Sequence, residues 1–201
     1  VAVSGEDIGP GKMGLIFVKS RQVMKGYYKR PDLTAKVIDK DGWFNTGDLG
    51  VRTFDNELKI TGRAKDTIVL LGGENVEPAV LESELLINDL IESAMVVGQD
   101  ERSLGALIVP SKENTEDFAK ENNIEYESYE ELLKNDFIIQ VFDKIIKDSI
   151  STAKGFRACE KIGKFALIPK SFEVGVELSA KQEMMRYKIA EEYKDLIKTL
   201  F

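Results

Sequence analysis

Near Gly62 the chain changes its periodicity, and that change limits what it can fold into more than any other feature. Up to Gly62, apolar residues come in short runs between turn formers. Gly9-Pro10-Gly11 breaks the chain before a compact strand candidate at residues 15–18. Gly42-Trp43-Phe44 and Thr46-Gly47-Asp48 sit among turn residues, and runs 51–54 and 58–61 flank Asp55-Asn56 as a short hairpin. Beyond Gly62, residues 67–71 read as an apolar strand, Gly72-Gly73 as a hinge-like loop, and Pro78 as a first-turn helical residue. That helix is expected to turn Ala79, Leu81, Leu85 and Leu86 toward a core. Residues 91–98 and 104–109 read as two strands joined by the polar turn at 99–102. The fold class predicted is α+β, with helices on one face of a small sheet. Residues 1–62 form its β-rich beginning and residues 63–201 its second part.

Helical spacing dominates the rest. Asn114 is a cap candidate for a segment through Asn122, and Ser128-x-x-Glu131 matches a capping box. Phe137, Ile138, Val141, Phe142, Ile145 and Ile146 recur on one apolar face. Residues 164–169 read as a further strand. From about Met184, a last helix aligns Met185, Ile189, Tyr193, Leu196 and Leu200. Core packing explains these stripes better than a ligand groove does.

Composition removes several classes of function. With 201 residues, 43% of them hydrophobic, the chain can bury one medium core or two small ones. It has no histidine and one cysteine, Cys159. A zinc site or a serine–histidine hydrolase is therefore excluded, Cys159 reads as a structural filler, and a reducing cytoplasm is the expected location. No metal-ligating residue set is assigned. Residues 1–62 carry net charge +2 and residues 63–201 carry −9. An acidic second half argues against nucleic acid, which needs clustered cations to neutralise phosphate. The acidic run from Glu113 to Asp136 reads as a solvated helical face. No apolar run approaches the roughly 18 residues that span a bilayer. Val1-Ala2-Val3-Ser4-Gly5 lacks a basic segment followed by an apolar one, so it is not expected to be a signal peptide, and without Met it reads as part of a longer protein.

Three polar constellations stand out. In Asp41–Asp48, a carboxylate between glycine-containing turns can accept hydrogen bonds from the vicinal hydroxyls of a sugar; on spacing alone, an Asp bonding its own turn is the stronger reading. Thr61-Gly62-Arg63-Ala64-Lys65-Asp66 places two cations where the pattern changes, which fits nucleotide contact at a junction or a surface charge cluster. Leu71-Gly72-Gly73-Glu74-Asn75-Val76-Glu77-Pro78 pairs glycines that permit close approach to a ligand or a swing, or that simply satisfy a strand-to-helix connection.

In their order, Gly26-Tyr27-Tyr28, Asp41-Gly42-Trp43-Phe44, Thr46-Gly47-Asp48, Gly62-Arg63-x-Lys65-Asp66 and Gly72-Gly73-Glu74-Asn75-x-x-Pro78 resemble the adenylate-forming superfamily across nearly the whole chain. The long stretch 112–163, with Asn123–Leu133 inside it and Lys164-Phe165-Ala166-Leu167-Ile168-Pro169 after it, is similar to long-chain fatty acyl-CoA ligases. The resemblance implies the last strands of a large domain followed by a mobile C-terminal domain carrying a helical insertion. It implies fatty acid, ATP and CoA as substrates, Mg2+ held mainly by an upstream domain, and room for peripheral membrane association of the full-length enzyme. It casts Asp48 as the ribose-binding carboxylate, Arg63 as its partner at the same sugar, and Lys65 as the hinge. Gly72, Gly73 and Glu74 then lie on the loop that enters the site for thioester formation. Trp43 and Phe44 are expected to pack beneath the Asp48 turn, and Asn45 replaces a His frequent there.

One position departs from the pattern. Aligned on Leu178-Ser179 and Arg186, the place of the family's adenylation lysine holds Glu183, whose charge repels phosphate oxygens. Lys181, two residues earlier, is the substitute if the loop shifts; otherwise it is a solvated lysine before a helix. No Ser/Thr/Gly-rich loop ending in Lys occurs, so the phosphate cradle and acyl tunnel are expected elsewhere and this chain alone is expected to be inactive. Two alternatives remain: a ligase or adenylation domain serving an acyl carrier protein, and a binder of acyl-adenylates or nucleotides that has lost catalysis.

Overall fold

A computed structural model describes residues 2–3 and 6–201, with side chains from residue 8 onward. The opening Val1–Gly5 segment lies partly outside the described residues. Two compact units result, Val1–Thr67 and Ile68–Phe201.

The first unit is built on a three-stranded antiparallel sheet. Strands β1 (Ala2–Val3) and β2 (Glu6–Asp7) pair antiparallel, and β3 (Met13–Val18), β4 (Phe44–Arg52) and β5 (Leu58–Arg63) form the sheet with β4 central. The expected hairpin at Asp55-Asn56 is present, and Asn56 adopts φ +67, a conformation Asn tolerates better than most residues. A short helix the pattern did not predict, α1 (Pro31–Val37), follows the basic stretch before it; Pro31 starts it because a first-turn residue needs no N–H.

The second unit opens with the two-residue strands β6 (Ile68–Val69) and β7 (Asn75–Val76), then α2 (Pro78–Leu85). Strands β8 (Ile91–Val97), β9 (Leu104–Pro110) and β10 (Ile162–Leu167) make its sheet, with β9 in the middle, antiparallel to β8 and parallel to β10. A parallel pair requires a long crossover. Residues between β9 and β10 supply it through α3 (Lys112–Glu121), α4 (Tyr129–Leu132) and α5 (Asp136–Ser149). The chain ends in α6 (Arg186–Glu192) and α7 (Lys194–Lys198).

The architecture is α+β, but the helices cover both faces of this sheet, not one. Strand alternation sends Ala94, Val96, Leu104, Ala106 and Ile108 into a core with α2 and α5, through Leu81, Leu85, Ile138 and Phe142. Met95, Val97, Leu107 and Val109 point the other way and pack with Ile189 and Leu200 of the terminal segment. That double burial explains why β8 and β9 read as nearly continuous apolar runs. A Cβ on Gly105 would come within 3.2 Å of Leu200 and Phe201, so glycine there lets the terminal segment lie close on β9.

Several helix details differ from expectation. The buried residues of α2 are Pro78, Leu81, Glu82 and Leu85, while Ala79 is exposed and Leu86 is 46% exposed. Ser111, not Asn114, is the N-cap residue of α3; the Asn114 amide instead donates to the Asp89 carbonyl. Ser128 accepts from the Glu131 N–H as a capping box requires, but Glu131 reaches back to the Glu127 N–H rather than to Ser128. Phe137 sits exposed at the start of α5, stacked on Phe118. The single terminal helix expected from Met184 is two, interrupted at Tyr193, and the first begins only at Arg186 because residues 184–185 belong to a hairpin.

Candidate functional site

Asp48 is placed by a turn fastened on both sides. The Thr46 hydroxyl donates to the Ile16 carbonyl (2.9 Å) and accepts from the Asp48 N–H (3.0 Å), so one side chain ties the turn to β3. Asn45 accepts from the Gly47 N–H at 2.9 Å, and the Gly47 carbonyl accepts from Ala64 at 3.0 Å. Gly47 takes φ +75, which a side chain would strain. These ties leave Asp48 directly opposite Arg63 in the β4–β5 register. The Arg63 Nε lies 3.3 Å from the Asp48 Oδ1, with the side chains 54% and 29% exposed respectively. A carboxylate held this way, beside a solvent-facing guanidinium, can accept from two vicinal hydroxyls while the guanidinium donates to a neighbouring oxygen.

The aromatic pair near this turn is unevenly exposed. Trp43 is 43% exposed, and the Lys19 ammonium stands 5.8 Å from its ring centre. Phe44 begins β4 and is half-buried. The Asp39 carboxylate accepts from the Asp41 and Trp43 N–H groups, so Asp39 organises the Asp41-Gly42-Trp43 turn. Lys65 is exposed on the turn closed by the Asp66 N–H to the Arg63 carbonyl (2.9 Å).

Gly72, Gly73 and Glu74 form the tip of the β6–β7 hairpin. The Gly73 N–H donates to Leu70 and the Leu70 N–H to Glu74, and Gly73 adopts φ +87. All three residues are exposed. The hairpin is held to the body of the unit by the Leu71 N–H to the Glu101 carbonyl (2.8 Å) and the Val69 N–H to the Gln99 side chain (3.0 Å). Arg157, which residue spacing did not single out, also holds it: one guanidinium nitrogen donates to the Asn75 carbonyl at 2.6 Å. Glu160 fixes that guanidinium through its Nε and Nη2 (2.9 and 2.8 Å), and this hydrogen bonding raises the Arg157 pKa further above its ordinary value.

Lys181 stands on a second hairpin. Leu178 bridges Met184, the Ser179 N–H donates to the Glu183 carbonyl, and the Met185 N–H to the Glu177 carbonyl. The Ser179 hydroxyl accepts from both the Lys181 and Glu183 N–H groups at 3.2 Å, so serine shapes the loop from within. Gln182 takes φ +62, and Lys181, Gln182 and Glu183 are all exposed. Just past this hairpin, Arg186 donates to both carboxylate oxygens of Glu82 (2.7 and 2.9 Å) and to the Val96 carbonyl (2.7 Å). Glu82 accepts the Val96 N–H as well, at 2.7 Å. Its side chain is 6% exposed and that of Arg186 is 20%. An acid inside the buried stripe Pro78-Leu81-Glu82-Leu85 is the signal that could have revealed this pair.

Of the sequence-predicted residues, Asp48 and Arg63 are brought together; Lys65, the Gly72–Glu74 turn and Lys181 each occupy a turn of their own. Among the described residues, no three Asp, Glu or Cys side chains converge as metal ligands would.

Residues 65–201 match the model of the AMP-binding enzyme C-terminal domain. The chain belongs to that family. Over 98% of its length it is 35% identical to the probable acyl-activating enzyme 16 of Arabidopsis thaliana, and over 99% it is 33% identical to the long-chain-fatty-acid–CoA ligase FadD15 of Mycobacterium tuberculosis. A long-chain-fatty-acid–[acyl-carrier-protein] ligase of Arabidopsis thaliana, AEE15, is 47% identical over 53% of the chain. The chain spans 28%, 33% and 16% of those three proteins. Among solved structures, the adenylation domain of a carboxylate reductase from Mycobacterium chelonae matches with a TM-score of 0.77 and 26% identity, covering 94% of this chain and 27% of that one. Asp48 and Arg63 lie upstream of residues 65–201, in the part matched by relatives that cover more of the chain, such as the two at 98% and 99%.

Proposed function

We propose that this chain is the carboxyl-terminal part of an ATP-dependent long-chain fatty acid ligase that forms an acyl-adenylate and then passes the acyl group to the thiol of CoA. The observation that carries the reading is the register-paired, partly exposed Asp48 and Arg63 in a member of this family. Asp48 accepts from the ribose hydroxyls of the nucleotide, and Arg63 both holds Asp48 in place and donates to the same sugar. Lys65 is the pivot between the two units. The Gly72–Glu74 turn, with glycines that let backbone approach closely, meets the acceptor thiol in the second step. Lys181 supplies the cation for the first step, offsetting negative charge that develops on the transferring phosphate. None of these residues is assigned to Mg2+, which when bound neutralises phosphate charge.

The test uses pyrophosphate exchange with palmitic acid and ATP. Full-length protein is expected to show fatty-acid-dependent exchange and this chain alone none; exchange by this chain would overturn the division of labour. A second reading, transfer to a phosphopantetheinylated carrier, is favoured by the 47% identity to a carrier-protein ligase. Supplying each acceptor in turn separates the two. A third, loss of catalysis, is suggested by Glu183. If it holds, Glu183→Lys creates exchange that the wild type lacks; an active wild type removes it.

A further inference from the structure

The hairpin bearing Lys181 and the hairpin bearing Gly72–Glu74 have one thing in common: each is fastened at its base by an arginine that a carboxylate holds rigid. Arg186 follows the first hairpin directly and grips Glu82 of α2 through two hydrogen bonds and Val96 of β8 through a third. Glu82 closes the ring by accepting the Val96 N–H. Loss of this ring frees the hairpin base from both α2 and β8. Arg157 grips the second hairpin at the Asn75 carbonyl, one residue past Glu74, and Glu160 fixes Arg157 through the Nε, an Nη and the backbone N–H. Lys154, three residues before Arg157, reaches Glu84 of α2 at 2.7 Å. The crossover between β9 and β10 therefore braces the Gly72–Glu74 turn in addition to joining two parallel strands.

We propose that Arg186–Glu82 and Arg157–Glu160 are two separate positioning clamps, each serving one half of the reaction. Arg186–Glu82 sets the Lys181 loop for acyl-adenylate formation, and Arg157–Glu160 sets the Gly72–Glu74 turn for thioester formation. The assignment rests on the function proposed above. Its physical basis is that exposed hairpin tips have few contacts of their own, so their placement depends on what holds the base. Displacing a reactive group by about 1 Å costs on the order of a hundredfold in rate.

The experiment measures the two half-reactions separately in full-length protein: pyrophosphate exchange with palmitic acid and ATP, and thioester formation from preformed palmitoyl-adenylate with CoA, or with a phosphopantetheinylated carrier if the wild type uses only that acceptor. Arg157→Ala is expected to slow thioester formation by about tenfold to a hundredfold and leave exchange within about twofold. Arg186→Lys, which keeps the charge but loses the planar fork, is expected to do the reverse. Hydrogen exchange gives a readout independent of activity: Gly73 and Glu74 amides should exchange faster in Arg157→Ala, and Lys181 and Glu183 amides in Arg186→Lys. Should Arg186→Lys fail to fold, Glu82→Gln, close in shape, carries the same expectation. Variants that slow both half-reactions equally, or neither, would overturn the clamps while leaving the function standing. A wild type without fatty-acid-dependent exchange would overturn both.

Discussion

The two units each present an arginine–carboxylate pair, and the pairs differ in almost everything except chemistry. Arg63 and Asp48 meet across neighbouring strands at 3.3 Å, with Arg63 open to solvent and Asp48 partly so. Arg186 and Glu82 are 104 residues apart and meet at 2.7 Å in a nearly closed site with a backbone carbonyl and N–H completing their bonds. Water screens the first pair, so it contributes little to stability and keeps capacity for a ligand. The second has given up most of its hydration, and removing either partner leaves the other without its counter-charge where water has little access. Exposure separates a pair suited to binding from one suited to holding.

Substitutions can break or sharpen that contrast. The largest effect is expected from Glu82→Ala, which leaves Arg186 uncompensated and should destabilise the second unit by about 3–5 kcal/mol in urea unfolding; a loss below about 1 kcal/mol would place this pair with the exposed one. Next comes a buried phenol. Tyr129 is 9% exposed, and burial pushes its pKa up to about 12. The folded chain keeps that proton more tightly than the unfolded chain, whose phenol titrates near 10. Its contribution is fully present below pH 10 and is lost as pH rises toward 12, by about 2–3 kcal/mol. Tyr129→Phe should flatten that part of the stability profile, and an unchanged slope would count against burial as the cause. The smallest effect is on the exposed pair: Asp48→Ala should change stability by less than about 1 kcal/mol, read from the same unfolding curves. A loss as large as that of Glu82→Ala would mean Asp48 holds the fold rather than a ligand.

Much of this was legible in the sequence. Strands β3, β5, β8, β9 and β10 and helices α2 and α5 stand close to where periodicity and turn residues put them, because short-range pattern dictates such elements. Asp48 and Arg63 were readable as a set only through the order of motifs around them; neither spacing nor composition states that two strands pair them in register. What stayed hidden depends on contacts far apart in sequence. Coverage of both faces of the second sheet arises when α6 and α7 return to β9, and no local window contains that. Sequence pattern marks Arg186 only as an anchor for aligning the Lys181 loop, and it marks neither Glu82 nor Arg157. The role of Asp39 is hidden as well: its carboxylate shapes the turn that carries Trp43, and the Lys19 ammonium stands near that ring.

The central claim is that Asp48 and Arg63 hold the nucleotide's ribose, and pyrophosphate exchange by full-length Asp48→Ala tests it most directly. Exchange with palmitic acid and ATP is expected to fall to background while the unfolding curve stays at wild-type position. A variant exchanging at the wild-type rate would remove Asp48 from the site.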